Sequence, residues 1–182
     1  YIKLLDQVED FLNKVGKGKK LHFEEEVTIF DAELGIAGTI DLLAYDENGN
    51  VYVFDYKTKE KGKEWLFDNR DKMMRAPEER LYDNKETHGE LQTSLYRVML
   101  ERAGFNVVES RIIYLEADVV EYGNELRYEN FVHKKDVYLK YHRTEIAKFL
   151  KQTTGVDINE GSSDVGSEIQ SVIATDIGDD TS

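Results

Sequence analysis

Residues 36–57 read IAGTIDLLAYDENGNVYVFDYK, and this stretch decides the fold. Two runs rich in β-branched and aromatic residues flank Asn48-Gly49, a strong signal for a hairpin turn. A third β-rich run, residues 23–30, precedes them and ends at a turn-like segment. The sequence therefore predicts an antiparallel meander of three strands.

Hydrophobic periodicity places further elements on both sides of this meander. Apolar positions at helical spacing predict a first helix, and a charged segment without clean periodicity at about 58–88 predicts an insertion. The order is α-β-β-β-α-β, followed by a strand and a helix, which favours the α/β (α+β) class. The predicted elements are helices over 2–15, 89–102 and 136–152, and strands over 23–30, 36–45, 51–56, 107–120 and 126–133.

The net charge of −13 is unevenly distributed. Seven of the acidic residues and no Lys or Arg lie in segment 153–182, so segment 1–152 carries the remaining −6. Segment 57–85 holds nine basic residues against seven acidic ones. Because salt screens charges beyond about 8–10 Å, a local basic surface can coexist with an acidic total. We therefore expect one domain over 1–152 and an acidic, flexible tail over 153–182.

The composition also excludes several kinds of site. The chain has no cysteine, which rules out disulfides, thiolate nucleophiles and cysteine-held clusters within it. No apolar run has the roughly 18 residues needed to cross a bilayer, and no signal peptide is evident, so we expect a cytoplasmic protein. The sequence begins with Tyr1, and we therefore expect it to be part of a longer protein.

Two carboxylates and a lysine lie on the central strands. Alternation puts Asp55 and Lys57 on one face of their strand. If Tyr45 pairs near Tyr52 or Val53, the hairpin brings Asp41 opposite Asp55 and Lys57. Burying an unpaired aspartate in an apolar strand costs free energy. The presence of Asp41 there therefore favours a functional site. The alternative is an ordinary structural ion pair.

Gln92 and Tyr96 are one turn apart on a predicted helix. Tyr96 could donate to a phosphate oxygen, and Gln92 could orient water or the scissile strand. The alternative is an amphipathic helix in which the tyrosine packs and the glutamine faces solvent.

Together these motifs resemble those of RecB-type nucleases in the PD-(D/E)XK superfamily. The resemblance is carried by Gly38-Thr39-Ile40-Asp41, Asp55-Tyr56-Lys57-Thr58 and Gln92-Thr93-Ser94-Leu95-Tyr96. It implies a restriction-endonuclease-like core with a mixed sheet, and a DNA nuclease, chiefly an exonuclease acting on DNA ends or single strands in recombination, repair or phage DNA processing. Helicases and other proteins of larger complexes are the implied partners.

The resemblance also implies roles for individual residues. Asp41, Asp55 and the carbonyl of Tyr56 would bind Mg²⁺ or Mn²⁺, and Lys57 would be the catalytic lysine. Gln92 and Tyr96 would position substrate. Glu26 resembles a glutamate common before the first strand, with Glu24 and Glu25 as adjacent competitors. The family usually adds an upstream ligand, for which Asp6, Glu9 and Asp10 are candidates. An inactive nuclease fold that binds DNA within a larger assembly remains the alternative function.

Overall fold

The computed structural model describes residues 20–63, 73–75 and 81–160. These residues form a five-stranded mixed sheet and two helices, so the predicted α+β class is confirmed. The predicted helix over 2–15 lies outside the described residues, as does most of the insertion. The elements are β1 (Leu21–Asp31), β2 (Ile36–Asp46), β3 (Asn50–Glu60), α1 (Lys85–Arg102), β4 (Asn106–Tyr122), β5 (Glu125–Tyr138) and α2 (Arg143–Thr154).

The strands lie in the order β1-β2-β3-β4-β5. The first three form the predicted antiparallel meander, and β4 pairs parallel to β3 after the crossover that contains α1. The hairpin between β2 and β3 turns where Asn48-Gly49 predicted it. Gly49 has φ +76 and donates its N–H to the Asp46 carbonyl at 2.9 Å. The Asp46 carboxylate also accepts the N–H groups of Asn48 and Asn50, which fixes the turn.

Three apolar clusters hold these layers together. One lies on the sheet face away from α1 and includes Leu42 and Phe54. A second lies between the sheet and α1 and includes Leu43 and Val53. The third joins α1 to α2. Among the described residues, no helix is long and apolar enough to span a membrane.

Two predicted boundaries differ from the structure near the C-terminal end of the domain. The last helix was expected from Asp136, but β5 continues to Tyr138 and α2 begins at Arg143. Asp136 accepts a hydrogen bond from Arg111 of β4 at 2.5 Å, which favours the strand at this point. The tail was expected from 153, yet α2 ends at Thr154 and Ile158 is buried in the third cluster.

The predicted insertion at about 58–88 is also shorter than expected. Strand β3 continues through Glu60, because its last residues pair with β4 as far as Ala117. Helix α1 begins at Lys85 instead of residue 89. Asn84 caps it, since its side-chain oxygen accepts the N–H of Thr87 at 2.8 Å.

Candidate active site

The ladder between β2 and β3 opens where the candidate carboxylates begin. It runs from Tyr45 paired with Val51 to Leu42 paired with Phe54. Beyond that pair, the Asp41 carboxylate replaces a backbone acceptor and takes the N–H of Tyr56 at 2.9 Å. The strands therefore separate at a point where one aspartate bonds to the backbone beside the other.

Asp55 is buried and has two charged neighbours. Asp55 is only 8% exposed, and the Lys57 ammonium lies 2.6 Å from its Oδ2. Burial raises the pKa of the Asp55 carboxyl, Lys57 opposes that rise, and the nearby Asp41 carboxylate adds to it. The Asp55 carboxylate thus has one ammonium and a second carboxylate as neighbours, an arrangement that further positive charge would stabilise.

Glu26 lies in an irregularity of β1 beside Asp41. Glu25 pairs with Leu42 and Val27 with Ile40, so Glu26 is skipped by the ladder, and its φ is +51. Side chains of β1 change faces here: Leu21 packs away from α1, whereas Ile29 packs towards it. The irregularity places Glu26 at the opening of the ladder.

A cavity of about 710 Å³ adjoins Asp41 on the sheet face away from α1. Glu25 and Glu26 line it, whereas Glu24 interacts with Tyr45, whose pKa is raised by burial and then by Glu24. The structure therefore separates the three adjacent glutamates and leaves Glu25 and Glu26 as candidates. The full lining is Glu25, Glu26, Asp41, Tyr56, Thr58, Arg127, Tyr128, Glu129 and Phe131.

The donor chemistry fits a hard divalent cation. Carboxylate oxygens of Asp41 and Asp55, with the Tyr56 carbonyl, are the ligand types that Mg²⁺ and Mn²⁺ prefer, and Mg²⁺ usually retains several waters. Within the described ranges, however, no three Asp, Glu or His side chains converge as a metal-binding group. Glu26 is therefore not brought together with both aspartates. The upstream candidates, Asp6, Glu9 and Asp10, lie outside those ranges.

Gln92 and Tyr96 are in direct contact. The Gln92 amide donates to the Tyr96 hydroxyl at 2.8 Å, and the tyrosine is buried in the cluster between α1 and the sheet. Its ring lies against Gly38, where an added Cβ would be 2.5 Å from Cε1. Tyr96 thus packs in the core, three residues along β2 from Asp41, while the exposed Gln92 marks the outer edge of that contact.

Tyr114 of β4 belongs to the site but was not predicted. It pairs with Lys57 and is 3% exposed. Burial raises its pKa to about 12, with contributions from Glu86, Asp55 and Glu90. Tyr114 lies beside Lys57 only because of the register in which β3 and β4 pair. No local pattern could have indicated that register, because the crossover between β3 and β4 is long.

Known proteins that are similar to this chain give independent evidence about its family. A family model described as the PD-(D/E)XK nuclease superfamily matches residues 3–165. No curated protein is similar enough in sequence to count as a relative. Among solved structures, the crystal structure of SSO0001 is similar at 17% identity, with a TM-score of 0.33, covering 93% of this chain and 68% of that chain. That likeness is too distant to carry any argument. The family match includes every predicted site residue.

Proposed function

Because the chain belongs to the PD-(D/E)XK nuclease superfamily, we propose that it is a DNA nuclease that depends on Mg²⁺ or Mn²⁺. The observation that supports this most is the opening of the β2–β3 ladder, where Asp41 and Asp55 adjoin and Lys57 lies 2.6 Å from Asp55. Such an opening places two carboxylates in the middle of an otherwise apolar sheet. Binding of a phosphodiester at this opening would give these carboxylates a function.

The residues have separate roles in this proposal. Asp41 and Asp55 would hold the ion with the Tyr56 carbonyl, and Glu26, which lines the cavity beside Asp41, would be a further ligand only if its side chain moved towards them. When bound, such an ion polarises a phosphoryl oxygen and activates water. Lys57 is 38% exposed, so its ammonium can turn from Asp55 towards the substrate and stabilise negative charge developing on the phosphate.

Gln92 and Tyr96 position the substrate in the same proposal. The exposed Gln92 amide is held by the Tyr96 hydroxyl, which leaves its remaining polar groups directed outward. The Tyr96 ring fixes α1 against β2 at Gly38. Tyr96 therefore acts as a rigid support for Gln92, whose side chain would contact the DNA strand.

An exonuclease is the preferred form of the activity. This preference rests on the similarity of the three motifs to those of RecB-type nucleases, whose activities belong to recombination, repair and phage DNA processing. A helicase or another protein of a larger complex is the proposed partner on the same ground.

The test is digestion of linear and covalently closed circular DNA with Mg²⁺, Mn²⁺ or chelator. We expect the wild-type protein to degrade linear DNA only when metal is present, and Asp55→Asn to be inactive. Asp118→Asn changes an aspartate of β4 whose side chain is 42% exposed and should remain active. Calorimetric titration of Mn²⁺ without DNA gives a second readout, in which Asp55→Asn should bind more weakly.

The outcomes separate the alternatives. Digestion of both DNA forms would replace the exonuclease mode by an endonuclease mode. If neither form is cut and Asp55→Asn binds Mn²⁺ as well as wild type, the proposal is wrong. DNA binding without cleavage that is unchanged by Asp41→Asn would favour a nuclease fold retained for binding or assembly.

A further inference from the structure

A row of three residues crosses β3, β4 and β5 beside Asp55. Lys57 pairs with Tyr114, and Tyr114 pairs with Lys135. Paired residues of neighbouring strands share a face, so both lysines lie on the side of the sheet that carries Asp55. The row therefore extends the candidate site across two more strands.

Tyr114 holds the Lys135 ammonium at a defined place. The Lys135 Nζ lies 4.9 Å from the centre of the Tyr114 ring, within the range of a cation–π contact. The ring is buried, whereas Lys135 is exposed. A buried ring under an exposed lysine restrains the stem of that side chain while its charge remains accessible to solvent.

The next row adds positive charge on the same side. Glu116 of β4 lies 2.8 Å from both the Lys59 and the Lys134 ammonium groups. With Lys57 beside Asp55, the two rows hold four lysines and two carboxylates. These lysines lie next to the candidate centre.

Acidic groups face the row from α1. Glu86 and Glu90 both contribute to the raised pKa of Tyr114. Glu90 is already engaged, since it lies 2.8 Å from His142 Nε2 and accepts the backbone N–H of Lys140 at 3.3 Å. The lysines thus lie on β3 and β5, and the two glutamates lie on the α1 side of the row.

We propose that Lys135 is a substrate-positioning residue that binds a phosphate of the nucleic-acid backbone next to the phosphate held at Asp55. This inference rests on the proposed nuclease function and identifies where the strand runs beyond the reacting group. Strands β3 and β5 are separated by β4, so their backbones lie about 10 Å apart. Because Lys57 is directed to Asp55 and Lys135 to Tyr114, the two ammonium groups contact different phosphates. Contacts of this kind are independent of base sequence.

The test measures binding of a fluorescein-labelled single-stranded oligonucleotide in chelator, where cleavage cannot proceed, over a range of salt concentrations. The slope of log K against log salt is negative, and loss of one phosphate contact reduces its magnitude by about 0.7 for a single strand. We expect that decrease for Lys135→Ala and recovery of the slope for Lys135→Arg, which keeps the charge. Lys148→Ala changes an exposed lysine of α2 and should leave the slope unchanged.

Tyr114→Leu tests the restraint on Lys135. Without the ring, the lysine keeps its charge but loses its position, so affinity should fall while Tyr114→Phe, which retains the ring, binds like wild type. If Tyr114→Leu does not fold, its circular dichroism spectrum will show this, and the Lys135 variants then decide the matter.

The outcomes distinguish this inference from the proposed function. If wild type does not bind the oligonucleotide, or if Lys135→Ala keeps the wild-type affinity and slope, the inference is wrong, whether or not the protein cuts DNA. If binding depends on Lys135 but no DNA is cut with metal, the inference stands and the nuclease activity fails. In an active enzyme, Lys135→Ala should raise KM with little change in kcat.

Discussion

The hairpin of β2 and β3 has two halves of opposite character. In the paired half, Leu42, Leu43, Val53 and Phe54 are each at most 1% exposed and pair across the ladder. In the open half, beyond Leu42 and Phe54, a carboxylate bonds to the backbone and a second carboxylate is buried beside it.

The open half of the hairpin depends on the paired half, but the paired half does not depend on the open half. The paired half can stabilise the fold without the site, because its side chains bury apolar area on both faces of the sheet. The open half cannot hold two like charges together unless the adjoining ladder fixes the strands. Substitutions in the two halves should therefore have different consequences.

The largest effect on stability is expected in the paired half. Phe54→Ala removes a side chain that is 1% exposed and should lower the free energy of unfolding by about 3–5 kcal/mol. Urea denaturation measures this. Thr58→Ala, on the exposed continuation of the same strand, serves as the control and should change stability by about 0.5 kcal/mol or less. Equal losses in both variants would contradict the division into two halves.

In the open half, the large effect should appear in activity. Lys57→Ala removes the ammonium beside Asp55 and should lower kcat by about 10²–10³-fold. Stability should change by about 1 kcal/mol or less, because the lysine is partly exposed. Lys61→Ala changes a lysine that is 69% exposed and should retain activity. A Lys57→Ala variant with wild-type kcat would show that this lysine has no catalytic role.

Gly38→Ala tests how β2 is held against α1. The new Cβ would lie 2.5 Å from Cε1 of Tyr96, so the ring or the strand must move, at a cost of about 1–3 kcal/mol. Gly89→Ala is the matched control on α1. Its Cβ would meet only the terminal methyl of Ile112 at 3.1 Å, and alanine favours the helix by about 0.5–1 kcal/mol. Melting temperatures should therefore move in opposite directions.

Glu26 should give a smaller effect of the opposite sign. Its φ of +51 disfavours any residue with a Cβ, so Glu26→Gly should raise the free energy of unfolding by up to about 1 kcal/mol. Glu26→Ala shares the strain and should show no such gain. Both variants lose the carboxylate, and reduced Mn²⁺ affinity in both would identify Glu26 as a ligand. A gain in the alanine variant alone would contradict the backbone argument.

The smallest effect is a pH dependence of stability. Because burial raises the pKa of Asp55, the folded protein holds this proton more tightly than the unfolded chain does. Ionisation therefore opposes folding as pH rises above the ordinary range of an aspartate. Asp55→Asn removes that penalty, so its stability relative to wild type should increase as pH rises above about 4, the ordinary pKa range of an aspartate. Urea denaturation of both proteins at a series of pH values measures this difference.

Local signals in the sequence predicted the meander and the convergence of its charges. The Asn48-Gly49 turn fixes which residues face each other. The expected partner of Tyr45 was Tyr52 or Val53, one or two positions from the observed partner Val51. The roles assigned to Asp41, Asp55 and Lys57 stay predictions until they are measured.

Features that depend on distant parts of the chain could not be predicted. The parallel register of β3 with β4, which brings Tyr114 beside Lys57, is set by tertiary packing across a long crossover. The end of β5 was missed because Val137 and Tyr141 are four apart, a spacing that also suits a helix. The contact of Asp136 with Arg111 decides for the strand, and it is invisible in a local window.

The contact between Gly38 and Tyr96 also has an evolutionary consequence. Since a Cβ at position 38 and a ring at position 96 exclude each other, neither position can drift alone without loosening the attachment of α1 to β2. We expect the two positions to covary among homologues, with larger residues at 38 accompanied by smaller ones at 96. An alignment of relatives would then carry a record of this steric contact in the linked inheritance of two sites 58 residues apart.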